Sequence, residues 1–188
     1  MVKQSTRDHI LDSAQALAQT RGFNAYSYAD IASELGVRKA SIHYHFPSKH
    51  DLETELLERY RSGFIAALGT IESSVENNME RLKRYTQLYA STLKKNQICL
   101  GGMMASDVGA LPDDLAPSLK SFFKEHVDWL ANVMSAGKSA GEMNFEGSAQ
   151  AQASVFLAAL QGGLLIANGM GDEAVFKRLG DSLLAQLQ

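Results

Sequence analysis

The chain has 188 residues, 45% of them hydrophobic, and a formal net charge of −3, so it can bury a real core in one or two domains but is too acidic for a general nucleic-acid coat. Its single cysteine excludes a disulfide framework within one chain, and no Cys/His group has zinc-ligand spacing, so neither a metal nor another cofactor is expected. The charge is divided: residues 1–50 carry six Lys and Arg against four Asp and Glu, with four of the five histidines, whereas residues 51–188 carry twelve against seventeen. That division suits a protein that meets DNA at one end only.

The opening Met1-Val2-Lys3-Gln4-Ser5 has no apolar signal core and leads into an amphipathic helix over about Thr6 to Thr20, where Ile10, Leu11, Ala14, Leu17 and Ala18 follow the helical period. A second helix starts at Ser27 as N-cap, with Asp30 in place of the usual capping-box Glu and with Ile31 and Leu35 facing inward. Gly36 permits the left-handed backbone that ends this helix and starts a third at a steep angle. In the third, Ile42 and Phe46 share the inner face and Pro47 stops the helix. Phe23, Ile31, Leu35, Val37, Ile42 and Phe46 are expected to close a three-helix core. Arg38, Lys39, Ser41, His43, Tyr44 and His45 are then left outside, a set of cations, hydroxyls and aromatics suited to a DNA groove and its phosphates.

Gly22-Phe23 after the first helix, Ser27 with Ile31-Ala32 in the second, Leu35-Gly36-Val37 at the turn, and Ser41-Ile42 leading into Tyr44-His45-Phe46 and Ser48-Lys49 resemble the TetR family of transcriptional regulators over roughly the first fifty residues. The resemblance implies an all-α chain of about nine helices. A helix-turn-helix DNA-binding domain would occupy residues 1–48, and a larger helical effector-binding and dimerisation domain residues 49–188. It also implies that Lys39, Ser41 and His43 approach bases while Ser27, Tyr44 and Lys49 position phosphates. His43 stands where the family commonly has tyrosine, so a phenol contact there is lost or replaced by an imidazole.

Beyond Ser48 the chain reads as helix throughout. Ser48 can cap a long linking helix whose stripe is Leu52, Leu56, Leu57, Tyr60, Phe64, Ile65, Leu68 and Ile71. A helix from about Asn78 to Asn96 and a short one from Leu100 to Val108 follow. Asp113, Asp114, Pro112 and Pro117 mark a loop, and another helix runs from about Ala116 to Ser135. The interval Gly137 to Gly147 breaks the pattern before a helix of small residues and leucine from Gln150 to Asn168 and a last one from Glu173 to Leu187. Gln161, Asn168 and Asp172 interrupt the apolar runs, so no segment is expected to cross a membrane and a cytoplasmic location follows. Gly162-Gly163 has no preceding strand or following Lys-Ser/Thr and reads as a packing feature.

Leu157, Leu160 and Leu164 with Phe176, Leu179 and Leu183 are expected to form a subunit contact, because in the resembled family the last two long helices make a two-fold bundle matching a palindromic operator. Tyr85, Tyr89, Met103, Met104, Phe122, His126 and Trp129 lie on three successive helices that can converge on one apolar effector cavity, with Cys99 at or near its wall. Lys94 and Lys95 are close enough in sequence to favour a Cys99 thiolate, which leaves a thiol sensor of oxidants or electrophiles as an alternative. No convergent acid, base or nucleophile points to an enzyme, and an apolar-ligand carrier is the remoter alternative. The sequence therefore predicts a homodimeric repressor released from double-stranded operator DNA by a small molecule whose identity the sequence does not give.

Overall fold

A computed structural model describes residues 5–188, so the expectation for Met1 to Gln4 lies outside the described residues. Among the latter are nine α-helices: α1 (Thr6–Arg21), α2 (Tyr28–Leu35), α3 (Lys39–His45), α4 (Lys49–Ser74), α5 (Asn78–Leu93), α6 (Leu100–Ser106), α7 (Leu115–Ser139), α8 (Ala149–Met170) and α9 (Glu173–Ala185). A single 3-10 turn, Val108–Ala110, follows α6 where a longer helix was expected. The helices gather into two compact units, one holding the chain up to Ser62 with Leu100–Leu119, the other holding Gly63–Cys99 with Lys120–Gln188. Helices α4 and α7 each begin in the first unit and end in the second.

In the first unit, three helices start with the same Ser-x-x-Asp device. Asp8, Asp30 and Asp51 each accept from the backbone N–H and the hydroxyl of Ser5, Ser27 and Ser48, which fixes the first turns of α1, α2 and α4. The serine hydroxyl bond, then the backbone bond, holds each carboxyl below its ordinary range. Gly36 ends α2 in the left-handed region at φ 66°, as the turn requires. Ile10, Phe23, Ile31, Ile42 and Phe46 are buried, but Leu35 and Val37 are only half-buried. Tyr26 and Tyr28 are buried as well; the Tyr28 hydroxyl is shared between the carbonyls of Phe46 and Ser48, which ties α2 to the end of α3. Residues 100–119 join this unit because α6 packs on α1, Asn24 donates to Asp107 at 3.2 Å, and His50 Nε2 lies 3.0 Å from Asp114.

In the second unit, α8 packs on α9 and α5, and α5 also packs on α9. Gly163 does act in packing: a Cβ there would collide with Leu179 Cδ2, whereas one at Gly162 would meet nothing. Gly137 does not break α7 as expected; the helix continues to Ser139, and Met143 folds back onto Gly137 so closely that a Cβ would lie 2.8 Å from its Sδ. Helix α5 stops at Leu93, short of Asn96, which takes the left-handed conformation at φ 53°. Ile65 on α4 is exposed, contrary to its place in the expected stripe. Despite Gln161 and Asn168, helix α8 is long and apolar enough by length and composition alone to pass for a membrane span, as a packed core helix also can. Here its buried positions pack within the chain.

Candidate functional site

The first unit presents α3 as its outer element. Arg38 is the N-cap of α3 and Lys39 its first residue; both are exposed, as are His43 and Tyr44, the latter at 83%. Ser41 and His45 are half-buried. The seven residues of α3 include two basic groups in the last turn and no acid in the first. Cations and an exposed phenol on a short helix after a glycine turn are the means by which a recognition helix meets phosphates and base edges. His43 is braced from behind, with its ring 4.7 Å from that of Tyr28 and its Nδ1 3.3 Å from the Pro47 carbonyl, so Nδ1 is the ring nitrogen engaged within the chain.

Two expected DNA contacts are engaged elsewhere. The Ser27 hydroxyl donates to Asp30 at 2.6 Å. Lys49 is half-buried: its Nζ lies 3.3 Å from Glu53, donates to the Phe23 carbonyl at 3.5 Å and sits 4.4 Å from the centre of the Tyr26 ring. Burial holds the Glu53 carboxyl above its usual range, with Lys49 pulling the other way. Lys49 thus ties α4 to the Phe23 carbonyl and the Tyr26 ring while a third of its side chain stays exposed.

The second unit brings Tyr85, Tyr89, Phe122 and His126 together, all buried, with Trp129 half-buried and stacked on Tyr85 at 5.4 Å. The space among them is taken by the half-buried Phe64 of α4, a residue read from the sequence only as part of a stripe. Its ring centre lies 4.2 Å from that of His126 and 5.9, 6.1 and 6.2 Å from Tyr89, Tyr85 and Phe122. Gln161, read only as an interruption in an apolar helix, joins the cluster by donating to Tyr89 Oη at 3.3 Å and to Cys99 Sγ at 3.4 Å.

These contacts form a hydrogen-bonded chain. Gln161 donates to Tyr89, whose hydroxyl lies 3.2 Å from that of Tyr85 and 3.5 Å from His126 Nδ1, and the Tyr85 hydroxyl lies 2.7 Å from the same Nδ1, so the imidazole tautomer sets which way the protons point. Burial keeps the imidazole neutral, pushing the His126 pKa down to about 3. Burial likewise raises the Tyr85 pKa. Every polar group the cluster turns inward is therefore uncharged. One is left over: Trp129 Nε1 is buried and has no acceptor.

Met103 and Met104 lie on α6 in the first unit, where Met104 is fully buried and the Met103 methyl would stand 3.9 Å from a Cβ at Gly22. A separate groove of about 430 Å³ runs between α5 and α9 over Thr86, Leu93, Phe176 and Gly180, with Lys83 and Lys177 at its edge. Of the expected subunit contacts, Leu157, Leu160, Leu164 and Phe176 are buried within the chain itself, and Leu179 and Leu183 are half-buried. The exposed apolar side chains of α8 are instead Val155, Leu165, Ile166 and Met170. Among the described residues no group of three or more His, Cys, Asp or Glu is placed to hold a metal ion.

A family model described as bacterial regulatory proteins, tetR family, matches residues 10–56, the span from α1 into α4. The crystal structure of a TetR-family transcriptional regulator from Agrobacterium tumefaciens superposes with a TM-score of 0.92 at 32% identity, covering 97% of both chains. That of a TetR transcriptional regulator from Legionella pneumophila gives 0.90 at 30% identity over 100% of both. The HTH-type transcriptional repressor KstR2 of Mycobacterium tuberculosis is 34% identical over 79 residues, and the match spans 42% of this chain and 40% of that repressor.

Proposed function

The chain belongs to the TetR family of bacterial regulatory proteins and is a DNA-binding transcriptional regulator; from that premise we propose that it is a cytoplasmic, homodimeric repressor released from an inverted-repeat operator by a small molecule bound at the aromatic cluster. In this reading residues 1–48 bind DNA and residues 49–188 serve effector binding and dimerisation. The observation that carries it is where the chain passes between its two units, at 62/63, 99/100 and 119/120. Each crossing falls within three residues of a cluster member: Phe64, Cys99 and Phe122. A molecule that rearranges the cluster therefore acts on every covalent link to the unit bearing α3.

Release follows from differential affinity. An effector that binds better to a conformation whose paired α3 helices no longer match the groove spacing weakens DNA binding, and DNA weakens effector binding by the same coupling free energy. A coupling of about 1–3 kcal/mol changes affinity several-fold to about a hundredfold. The two-fold that an inverted repeat demands is supported by the exposed Val155, Leu165, Ile166 and Met170 of α8, an apolar face that a second copy would cover.

Selection of operators from random duplexes, followed by a screen of small molecules for release of the selected DNA, tests the reading. An inverted repeat bound tightly and released by a molecule that perturbs Trp129 fluorescence is the expected result. No selected sequence, or release unaffected by substitution in the cluster, would sink it. The rival thiol sensor would act through Cys99, whose Sγ accepts from Gln161, but Cys99 is only 1% exposed, and a sensing thiol has to be reached by its oxidant.

A further inference from the structure

We propose that the effector is an uncharged aromatic molecule bearing a hydrogen-bond acceptor, and that its ring takes the position Phe64 holds among Tyr85, Tyr89, Phe122 and His126. The proposal rests on the effector-responsive reading above and specifies the chemistry of its site. Phe64 already shows what the cluster recognises: a planar six-membered ring that meets Tyr85, Tyr89 and Phe122 at 5.9 to 6.2 Å, within the range in which aromatic pairs attract beyond their buried area, and lies 4.2 Å from the His126 imidazole. Phe64 is also the member of this group that is half-buried where the other four are buried, so it is the ring with a way out to solvent.

The surrounding polar atoms define what else the ligand carries. The phenols of Tyr85 and Tyr89, the His126 imidazole and the Gln161 carboxamide satisfy one another in a neutral chain, and nothing in it offers a counter-charge. A buried carboxylate or ammonium would be left unpaired there, at a large desolvation cost. The unsatisfied group is a donor, Trp129 Nε1, on the ring stacked against Tyr85. A carbonyl, ether or nitro oxygen on the ligand would supply the missing acceptor. Because Phe64 stands two residues past the 62/63 crossing on α4, its displacement moves the helix that continues into the DNA-binding unit.

Isothermal titration calorimetry with acetophenone, its anionic counterpart benzoate, and toluene, on the full chain and on Phe64→Ala, Phe64→Trp and Trp129→Phe, tests this. Apolar cavities left by removing a large side chain can bind small aromatic rings. Phe64→Ala should therefore bind acetophenone at least about tenfold more tightly than the unaltered chain. Phe64→Trp should bind it more weakly, and no form should prefer benzoate. Trp129→Phe keeps the stack and removes the donor, so it should weaken acetophenone and leave toluene unchanged. Equal acetophenone affinity in Phe64→Ala and the unaltered chain, or benzoate binding as tight as acetophenone, overturns the proposal. Circular dichroism verifies folding, and if Phe64→Ala does not fold, unchanged binding in Phe64→Trp overturns it equally. Calorimetry involves no DNA, so failure of the regulatory reading shows separately, as an unaltered chain that binds no operator.

Discussion

The Tyr85 hydroxyl lies 2.7 Å from His126 Nδ1 in a site where His126 is 2% exposed, which makes the pair a neutral donor and acceptor and sets a pH dependence for the fold. The folded His126 pKa is lowered to about 3 from an ordinary 6.5. Above the unfolded value both states hold a neutral imidazole and nothing is lost. As the pH falls below it, the unfolded chain takes up a proton that the folded chain refuses, so stability declines continuously towards the folded pKa. Between pH 6.5 and 5 the loss should be about 1 kcal/mol per pH unit. Urea denaturation of the unaltered chain and of His126→Phe across that interval checks this. The raised pKa of Glu53 opposes the trend, so the informative quantity is the difference in slope between the two proteins. Equal slopes would mean that the imidazole is not kept neutral.

Lys39 and Lys49 should behave differently although they are ten residues apart on one DNA-binding unit. Lys39 is exposed on the outer helix, whereas Lys49 is held by Glu53, the Phe23 carbonyl and the Tyr26 ring. Lys39→Ala should weaken operator binding, with a loss of sequence discrimination of about 1–3 kcal/mol if the side chain reaches a base, or a salt slope flatter by about one if it reaches a phosphate. Lys49→Ala should leave the salt slope unchanged and lower stability by about 1 kcal/mol, since it abandons a buried carboxylate. Fluorescence anisotropy over a salt series, with parallel thermal melts, distinguishes the two. A flattened slope in Lys49→Ala would return that residue to the phosphate contacts.

Gly36 provides a test of the turn that is free of packing effects. Its φ is 66°, and a Cβ there would have no neighbour within 4 Å, so any cost of a side chain is backbone strain alone. Gly36→Ala should lose about 1 kcal/mol and Gly36→Asn less, because asparagine tolerates the left-handed region. Equal stability of the three proteins would show that the turn relaxes.

The DNA-binding unit was largely legible because its signals are local. Ser27 with Asp30, Gly36 and the Ile42/Phe46 spacing each act within a few residues, and the structure shows each in place. The same Ser-x-x-Asp pattern at Ser5 is just as local a signal. The aromatic cluster was legible only in part. Tyr85, Tyr89, Phe122 and His126 follow helical periodicity on two helices, but the identity of the ring between them is a long-range outcome: Phe64 looks in sequence like any other residue of a long apolar stripe. Likewise, nothing local says that the seven-residue helix bearing Met103 and Met104 packs on α1. For α8, composition shows a helix of small residues and leucine, yet which leucines face inward depends on where α5 and α9 lie.

That dependence yields a prediction in which two substitutions on α8 have opposite meanings. Leu160 is fully buried in the chain, whereas Ile166, six residues on, is 57% exposed. Leu160→Glu buries a carboxylate with no partner and should unfold the second unit, at a cost of several kcal/mol. Ile166→Glu places the same charge on the exposed apolar face, where the isolated chain tolerates it and a subunit seam does not. Analytical ultracentrifugation should find Ile166→Glu to be a folded monomer with the melting behaviour of an intact chain. Its affinity for a full inverted repeat should fall towards that for a single half-site, because one α3 helix no longer brings the second. A dimeric Ile166→Glu with unchanged operator affinity would place the seam away from this face. The groove between α5 and α9 would then be the next surface to probe, by Lys177→Glu at its edge.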